Sequence, residues 1–338
     1  MKNQTSSSLV LMIFVMVLSM TLLMIWGSVK IPFPTLVALL KGQLAAESPF
    51  YKIFWDIRIP KIIVCLFAGS ALAVSGLFMQ TFFQNPLAGP FVLGVHSGSS
   101  VGVAVLLMGS AFFTIPDGLL EHGVTFFSIM GAMGILGLLL ILSLKVSGKV
   151  YILIFGLLFS YLSSGIINIL FSISESEKIK SYLLWTLGSF QRVTGSDLII
   201  YSGLLSLGLA LSLLMIKPLN SLLAGDDYAR SIGVNLVKIR IKIILITALL
   251  SGLVTAYCGP VAFLGIMVPH VAKRILNTHD HKILIPGCMI IGAIFAMLAE
   301  FFANLFPAMS FPINSILGLV GAPTILLFLY KRRSRDIL

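Results

Sequence analysis

Apolar residues run along this chain in long blocks rather than in short alternating faces. The longest, Ile62–Pro116, holds no Asp, Glu, Lys or Arg over 55 consecutive residues. A membrane helix needs about 20 apolar residues, so this block has room for two, parted by Asn85-Pro86-Leu87-Ala88-Gly89-Pro90. Non-helical backbone at membrane depth leaves amides and carbonyls without water, and it survives only where protein buries it or where it lines a wet cavity. A polar, proline-broken joint there points to a chain that moves something across the bilayer. The blocks predict an all-α, polytopic membrane protein of about ten spans, near 9–29, 60–83, 91–110, 122–144, 150–173, 196–216, 237–257, 261–275, 283–305 and 313–330. The eighth is short enough to be a half-helix, and 178–190 reads as an extra short helix at the membrane edge. The first block, Leu9–Trp26, exceeds the apolar core of about 7–15 residues in a cleaved signal and is read as a retained span.

Composition agrees. Of the 338 residues, 58% are hydrophobic and 10% charged, against roughly 25% charged in a soluble domain. The net charge of +11 is read as topology, since no soluble segment is long enough to form a nucleic-acid surface. With both termini cytoplasmic, the inner segments carry 15 of the 23 basic residues and four of the twelve acids, so all the excess positive charge falls on one side. The weak point is segment 30–61, whose five basic residues must then be external. Cys65, Cys258 and Cys288 lie in or beside apolar segments without metal-ligand spacing, and no metal or cofactor is expected.

The chain also echoes itself. Gly89-Pro90-Phe91-Val92-Leu93-Gly94-Val95 resembles Gly259-Pro260-Val261-Ala262-Phe263-Leu264-Gly265-Ile266, each after an uncharged span containing Ser-Gly (Ser75-Gly76 and Ser251-Gly252). The second and seventh spans correspond, and an odd offset of five helices inverts the copies, pairing spans 2–5 with 7–10. Inverted repeats with broken helices mark transport folds; here broken or short helices are expected near the cytoplasmic side. Gly94, Gly98 and Gly102 share one face of the third span, a spacing that lets helix backbones touch in lipid.

The whole chain, 1–338, reads as a single permease domain with a cytoplasmic loop at 217–236. In it, Asp226 suits a helix N-cap and Gly233 a C-terminal stop. Gly225 permits a bend after Ser221–Ala224. Two short helices would then project, presenting Leu222, Leu223, Ala229 and Ile232.

At this point the sequence resembles the FecCD family, permease subunits of ABC importers for iron-siderophore, haem and vitamin B12. The pieces that carry the resemblance are Trp55-Asp56-Ile57-Arg58-Ile59-Pro60-Lys61, Gly69–Gly76 with Met79-Gln80, and Gln84–Pro90 with Leu93-Gly94-Val95. They continue with Ala224–Gly233, Phe263–His270 and Gly318-Leu319-Val320-Gly321-Ala322-Pro323. The resemblance implies a bacterial cytoplasmic-membrane permease working with a second permease subunit (identical or paralogous), two ATP-binding subunits and an extracytoplasmic substrate-binding protein. It implies that Leu222, Leu223, Ala224, Gly225, Asp226, Ala229, Arg230 and Gly233 form the element that couples to the ATPase. Ala229 would suit a crowded seat on that partner; Arg230 either pairs with an acid there or is a positive-inside charge. Arg58 and Lys61 match positions that dock the binding protein, whereas Asn304 and Ser310 stand where relatives often carry Arg and Glu. Asn85, Pro86 and Leu87 match a segment near the cytoplasmic gate.

No Gly-x-x-x-x-Gly-Lys-Ser/Thr occurs; Gly148-Lys149 is followed by Val. Without amides to cradle phosphates, ATP hydrolysis is expected on a separate subunit. The cargo expected from the resemblance is an iron chelate, with cobalamin as alternative. An ion-gradient transporter competes, resting on Glu300 as a membrane carboxylate, although its place late in the ninth span suggests a solvated rim group. His279-Asp280-His281 reads as a solvated turn, and His96 as a packed or pore-lining imidazole. An integral-membrane enzyme would need a convergent nucleophile, base and metal set, which the sequence lacks.

Overall fold

The computed structural model describes residues 2–109, 120–145, 148–306 and 310–333, and every regular element among them is helical. Seven helices are long and apolar enough to span a bilayer. They are α1 (Lys2–Ile25), α4 (Ile59–Phe83), α6 (Leu120–Lys145), α7 (Lys149–Ile173), α9 (Gly195–Leu213), α12 (Leu236–Cys258) and α14 (His281–Ala303). Three further helices, α5 (Val95–Met108), α13 (Leu264–Leu276) and α15 (Ile313–Arg333), fall at the remaining expected spans. Off the spans lie α2 (Phe33–Leu40), α3 (Pro49–Lys52), α8 (Ser176–Thr186), α10 (Ile216–Leu223) and α11 (Asp226–Ser231). The edge helix expected at 178–190 is α8. Lys2 and the basic residues Lys331, Arg332, Arg333 and Arg335 lie outside the side chains described.

Burial sorts the spans into a centre and a rim. The most apolar windows of α4, α12 and α14 are 83%, 72% and 67% buried, whereas those of α1, α6, α7 and α9 are 17–22% buried. Lipid provides no hydrophobic drive for helix association, so the centre depends on close backbone contact at small residues. Gly69 of α4 faces the Gly292 carbonyl of α14, and Gly76 faces the Gly265 carbonyl of α13 so closely that no Cβ would fit. Gly98 and Gly102 of α5 lie on the carbonyls of Gly131 and Phe127 in α6, while Gly94 takes φ +71° beside α7. The glycine face expected of the third span is thus a helix-packing seam.

The segment before α4, the weak point of the charge count, is largely helical. Helix begins at Pro49 and continues through a π turn, Ile53–Arg58, into α4. Pro60 cannot donate to the carbonyl four residues back, and the widened turn absorbs the missing bond. Ile31, Leu36, Leu39 and Phe54 pack beneath α2 as a small satellite core.

Both spans that contain the Ser-Gly pair end in broken backbone. After α4, Gln84 adopts a left-handed conformation (φ 50°), the chain turns through Asn85–Gly89, and a 3-10 turn (Pro90–Leu93) leads into α5. After α12, Gly259 has φ 74° and Phe263 φ 67° before α13 begins. At about 1.5 Å per residue, α5 and α13 are some 20 Å long, short of the ~30 Å hydrocarbon core of a bilayer. The α4 break lies beside α10 and the start of α14. The α12 break lies at the opposite end, where Ser189 N–H donates to the Cys258 carbonyl (2.8 Å) near the C-terminus of α14. Breaks near one face only are therefore not what forms, because inverted copies place corresponding joints on opposite sides. Asn314 satisfies the second joint, donating to the Pro260 carbonyl (2.7 Å) and accepting from Ala262 N–H (3.0 Å).

Candidate coupling and gating site

The loop at 217–236 folds as two short helices, α10 and α11, with Gly225 between them. Gly225 itself takes the N-cap position of α11 at φ +101°, and Asp226 is the first helical residue. Asp226 does not cap; its carboxylate receives Lys149 Nζ at 2.7 Å, tying α11 to the start of α7. Gly233, at φ +82°, ends α11 as expected: Val234 N–H donates to the Ala229 carbonyl and Gly233 N–H to that of Arg230, both at 3.0 Å. This is the Schellman arrangement, which uses glycine for its left-handed residue.

The outward face differs from the expected one. Leu222 and Ala229 are buried in the chain's own core, at 2% and 0% exposure. Helical periodicity decides this: Leu219, Leu222 and Ala229 lie inward, which turns Leu223, Ala224, Tyr228, Arg230 and Ile232 to the exterior. Ala229 is small because the chain itself closes over it.

The base of α10 is held by directed hydrogen bonds. The amide oxygen of Asn220 accepts from His281 N–H (2.9 Å) and lies 2.7 Å from His281 Nδ1, and its Nδ2 donates to Asp280 Oδ1 (2.7 Å). Asp280 caps α14 by accepting from Lys282 N–H (2.9 Å), and these bonds hold its carboxyl below the usual carboxylate range. On the other edge of the ring, His281 Nε2 lies 2.8 Å from Thr81 Oγ1 in the last turn of α4. Three residues on, Gln84 Nε2 donates to the Leu222 carbonyl at 3.2 Å. The reading of His279-Asp280-His281 as a solvated turn is corrected by this, since His281 is 1% exposed. Among the described residues no group of three or more His, Cys, Asp or Glu could hold a metal ion.

Asn85, Pro86 and Leu87 follow directly. Asn85 Oδ1 accepts from Leu87 N–H (2.9 Å), so the side chain closes an Asx turn that Pro86, without an N–H, could not close itself. Leu87 is 42% exposed. These residues form a bare apolar-polar tip adjoining α10.

At the opposite end the structure gathers Lys61, Glu300, Gln191 and Asn304. Glu300 is not a solvated rim group: it is 1% exposed, and its Oε1 receives Lys61 Nζ at 2.9 Å, Asn304 Nδ2 at 2.8 Å and Gln191 Nε2 at 3.0 Å. Ser310 reaches Asn304 Oδ1 at 3.3 Å. A cleft of about 240 Å³, lined by Gln191, Arg192, Glu300 and Ser310 among others, opens beside them. Arg58 is also buried (4%); its guanidinium donates to the carbonyls of Trp26 (2.6 Å) and Val29 (2.8 Å) beyond the end of α1. Gly27 leaves room for it, because a Cβ there would collide with the guanidinium. Arg58 and Lys61 are therefore both buried and bonded within the chain. Of the five basic residues in 30–61, Lys61 is thus matched by an acid, and Arg58 is bonded to backbone carbonyls. Sequence reasoning gave no bonding role to Thr81, Gln84, Lys149 or Gln191. The available signal was an isolated polar side chain inside or beside an apolar block.

An all-helical bundle with seven membrane-length helices among the described residues, two broken joints and a paired helical protrusion belongs to the class of transport permeases. The chain is a member of the FecCD transport family, which matches residues 11–331. It is 29% identical over 91% of its length to the hemin transport system permease protein HmuU of Yersinia pestis, covering 91% of that protein. It is 31% identical over 87% of its length to the vitamin B12 import system permease protein BtuC of Klebsiella pneumoniae, covering 85% of that protein. Among solved structures, one described as a metal-chelate type ABC transporter in an inward-facing conformation superposes with a TM-score of 0.83 at 24% identity, over 95% of this chain and 97% of that one. That likeness concerns the fold.

Proposed function

We propose that this chain is the membrane-spanning subunit of an ATP-driven importer that brings an iron chelate, a ferric siderophore or haem, into a bacterial cell. Cobalamin is the alternative cargo within the same family. The observation that carries the reading is the α10–α11 pair. Its outer face is exposed and apolar with a flanking cation (Leu223, Tyr228, Ile232, Arg230), while its base is bonded to the ends of α4, α7 and α14. Such a protrusion suits a separate ATP-binding subunit: apolar contact supplies area, and rigid attachment passes displacement to the spans. Leu222 and Ala229 shape the protrusion from within, Gly225, Asp226 and Gly233 set its bend, its tie to α7 and its end, and Ala224 adds to the outer face. Asn85, Pro86 and Leu87 serve as the inner constriction, and a second permease copy, identical or paralogous, supplies the facing wall. Both termini lie in the cytoplasm.

An extracytoplasmic binding protein would meet the cap formed by α2 and α3, where Lys41 and Lys52 are exposed, in preference to the buried Arg58 and Lys61. The ion-gradient reading loses its main support, since the Glu300 charge is already matched by Lys61 and needs no proton or sodium ion to neutralise it. The test is uptake of hemin, a ferric hydroxamate and cyanocobalamin by proteoliposomes holding the permease with its ATP-binding subunit and binding protein. Uptake that requires ATP and selects one cargo supports the proposal. Uphill uptake by the permease alone refutes it.

A further inference from the structure

The α10–α11 protrusion and the last turn of α4, which leads into the tip at Asn85–Leu87, are joined by one chain of hydrogen bonds. Its polarity can be read from the partners. Asn220 Nδ2 is bonded to a carboxylate oxygen, which can only accept, so the amide oxygen is the atom facing His281. That oxygen already accepts from His281 N–H and, being an acceptor, requires a proton on Nδ1 at 2.7 Å. In the neutral ring Nε2 is then an acceptor, and Thr81 supplies its hydroxyl proton at 2.8 Å. The order is Thr81 O–H to His281 Nε2, His281 Nδ1–H to Asn220 Oδ1, and Asn220 Nδ2–H to Asp280.

We propose that Thr81, His281 and Asn220 are positioning residues that transmit displacement of α10 to the last turn of α4, and through it to the gate segment that begins four residues after Thr81. The inference rests on reading α10–α11 as the coupling element. A bundle held only by apolar packing would let α10 slide, because dispersion contacts are individually weak and have no direction. Directed bonds resist sliding. Thr81 and His281 are both buried (6% and 1%), so water does not compete for their bond. Gln84, bonded to the Leu222 carbonyl, adds a second and shorter tie on the gate side.

The test uses the assembled permease and ATP-binding subunits. Leu87→Cys serves as a reporter for a membrane-impermeant maleimide, read on the labelled peptide by mass spectrometry. The native thiols Cys65, Cys258 and Cys288 are buried and add little background. Labelling is compared without nucleotide and after trapping with ATP and vanadate, alongside the ATP hydrolysis rate. Thr81→Val keeps the shape and removes the hydroxyl, and loss of one buried neutral hydrogen bond corresponds to about a fivefold change in an equilibrium. Thr81→Val is expected to reduce the nucleotide-dependent change in labelling by about that factor while hydrolysis stays within about twofold. Thr81→Ser should restore the response, and Asn220→Ala combined with Thr81→Val should do no more than either alone. A full nucleotide response in Thr81→Val, or additive losses in the double variant, would overturn the linkage. Should Thr81→Val fail to assemble, Asn220→Ser shortens the same chain and is judged by the same criterion. A reporter that ignores nucleotide in the otherwise unaltered protein would instead overturn the assignment of the gate and coupling elements, and the linkage with it.

Discussion

Replacing Lys61 by methionine separates two roles that the same residue could play. As an exposed docking charge it would be dispensable for folding. As found, its Nζ lies 2.9 Å from Glu300 Oε1, with exposures of 6% and 1%. Two unit charges at that distance attract by about 6 kcal/mol at an effective dielectric near 20. Desolvation costs several kcal/mol for each ion, so the pair is about as stable as a well-packed apolar substitute. Removing one partner is a different matter. Lys61→Met leaves the Glu300 carboxylate buried with only the amide donors of Asn304 and Gln191, at a cost of about 3–5 kcal/mol. Glu300→Gln keeps the shape and strands the buried Lys61 ammonium, at a similar cost of about 3–5 kcal/mol. The double variant Lys61→Met/Glu300→Gln should recover at least about 2 kcal/mol relative to the sum of the singles. Equilibrium unfolding in mixed micelles provides the assay. A thiol-reactive fluorophore reports exposure of Cys65, Cys258 and Cys288, all buried in the folded state. Unchanged stability in Lys61→Met together with weakened binding-protein affinity would refute this account and restore the docking role.

Other outcomes follow from the same geometry. Gly76→Val should prevent accumulation of folded protein, because its Cβ would fall on the Gly265 backbone carbonyl, whereas Gly134→Val, with open space around it, should fold normally; size-exclusion profiles of the two decide. Ala229→Trp should lower thermal stability of the isolated permease before any ATPase is added, since the site is closed by the chain itself; a stable permease that merely fails to bind the ATPase would count against this. Asp280 has a depressed carboxyl pKa, so its capping contribution is present above the usual aspartate range near pH 4 and is lost as pH falls through the lower folded value. Stability should therefore drop as pH falls below the usual aspartate range, and Asp280→Asn should flatten that part of the profile.

The spans were legible because a bilayer imposes a length and polarity that a single chain must satisfy locally. The glycine seam of α5 was legible for a similar reason, since residues four apart share a helix face whatever surrounds it. The two-helix form of 217–236, with Gly225 at the bend and Gly233 at the end, followed from backbone conformations that glycine alone enters easily. Its orientation did not. Leu222 and Ala229 were expected outward and point inward, because an amphipathic turn of eight residues can be rotated by the packing of neighbours far away in sequence. Glu300 and His281 were misread for the same reason: each looked like a residue near a membrane edge, and each acquires its partner from a span some 200 residues distant.

Taken alone, the order of amino acids defines a polytopic helical transporter with a repeated, broken joint and a glycine-hinged protrusion, since hydropathy, helix period and left-handed backbone are properties of short stretches. Which charges are free and which are matched depended on the folded chain. Burial brings Lys61 to Glu300, Arg58 to the carbonyls beyond α1, and Thr81 through His281 to Asn220, and a side chain's partner in a low-dielectric interior is a matter of three-dimensional proximity that no local pattern encodes.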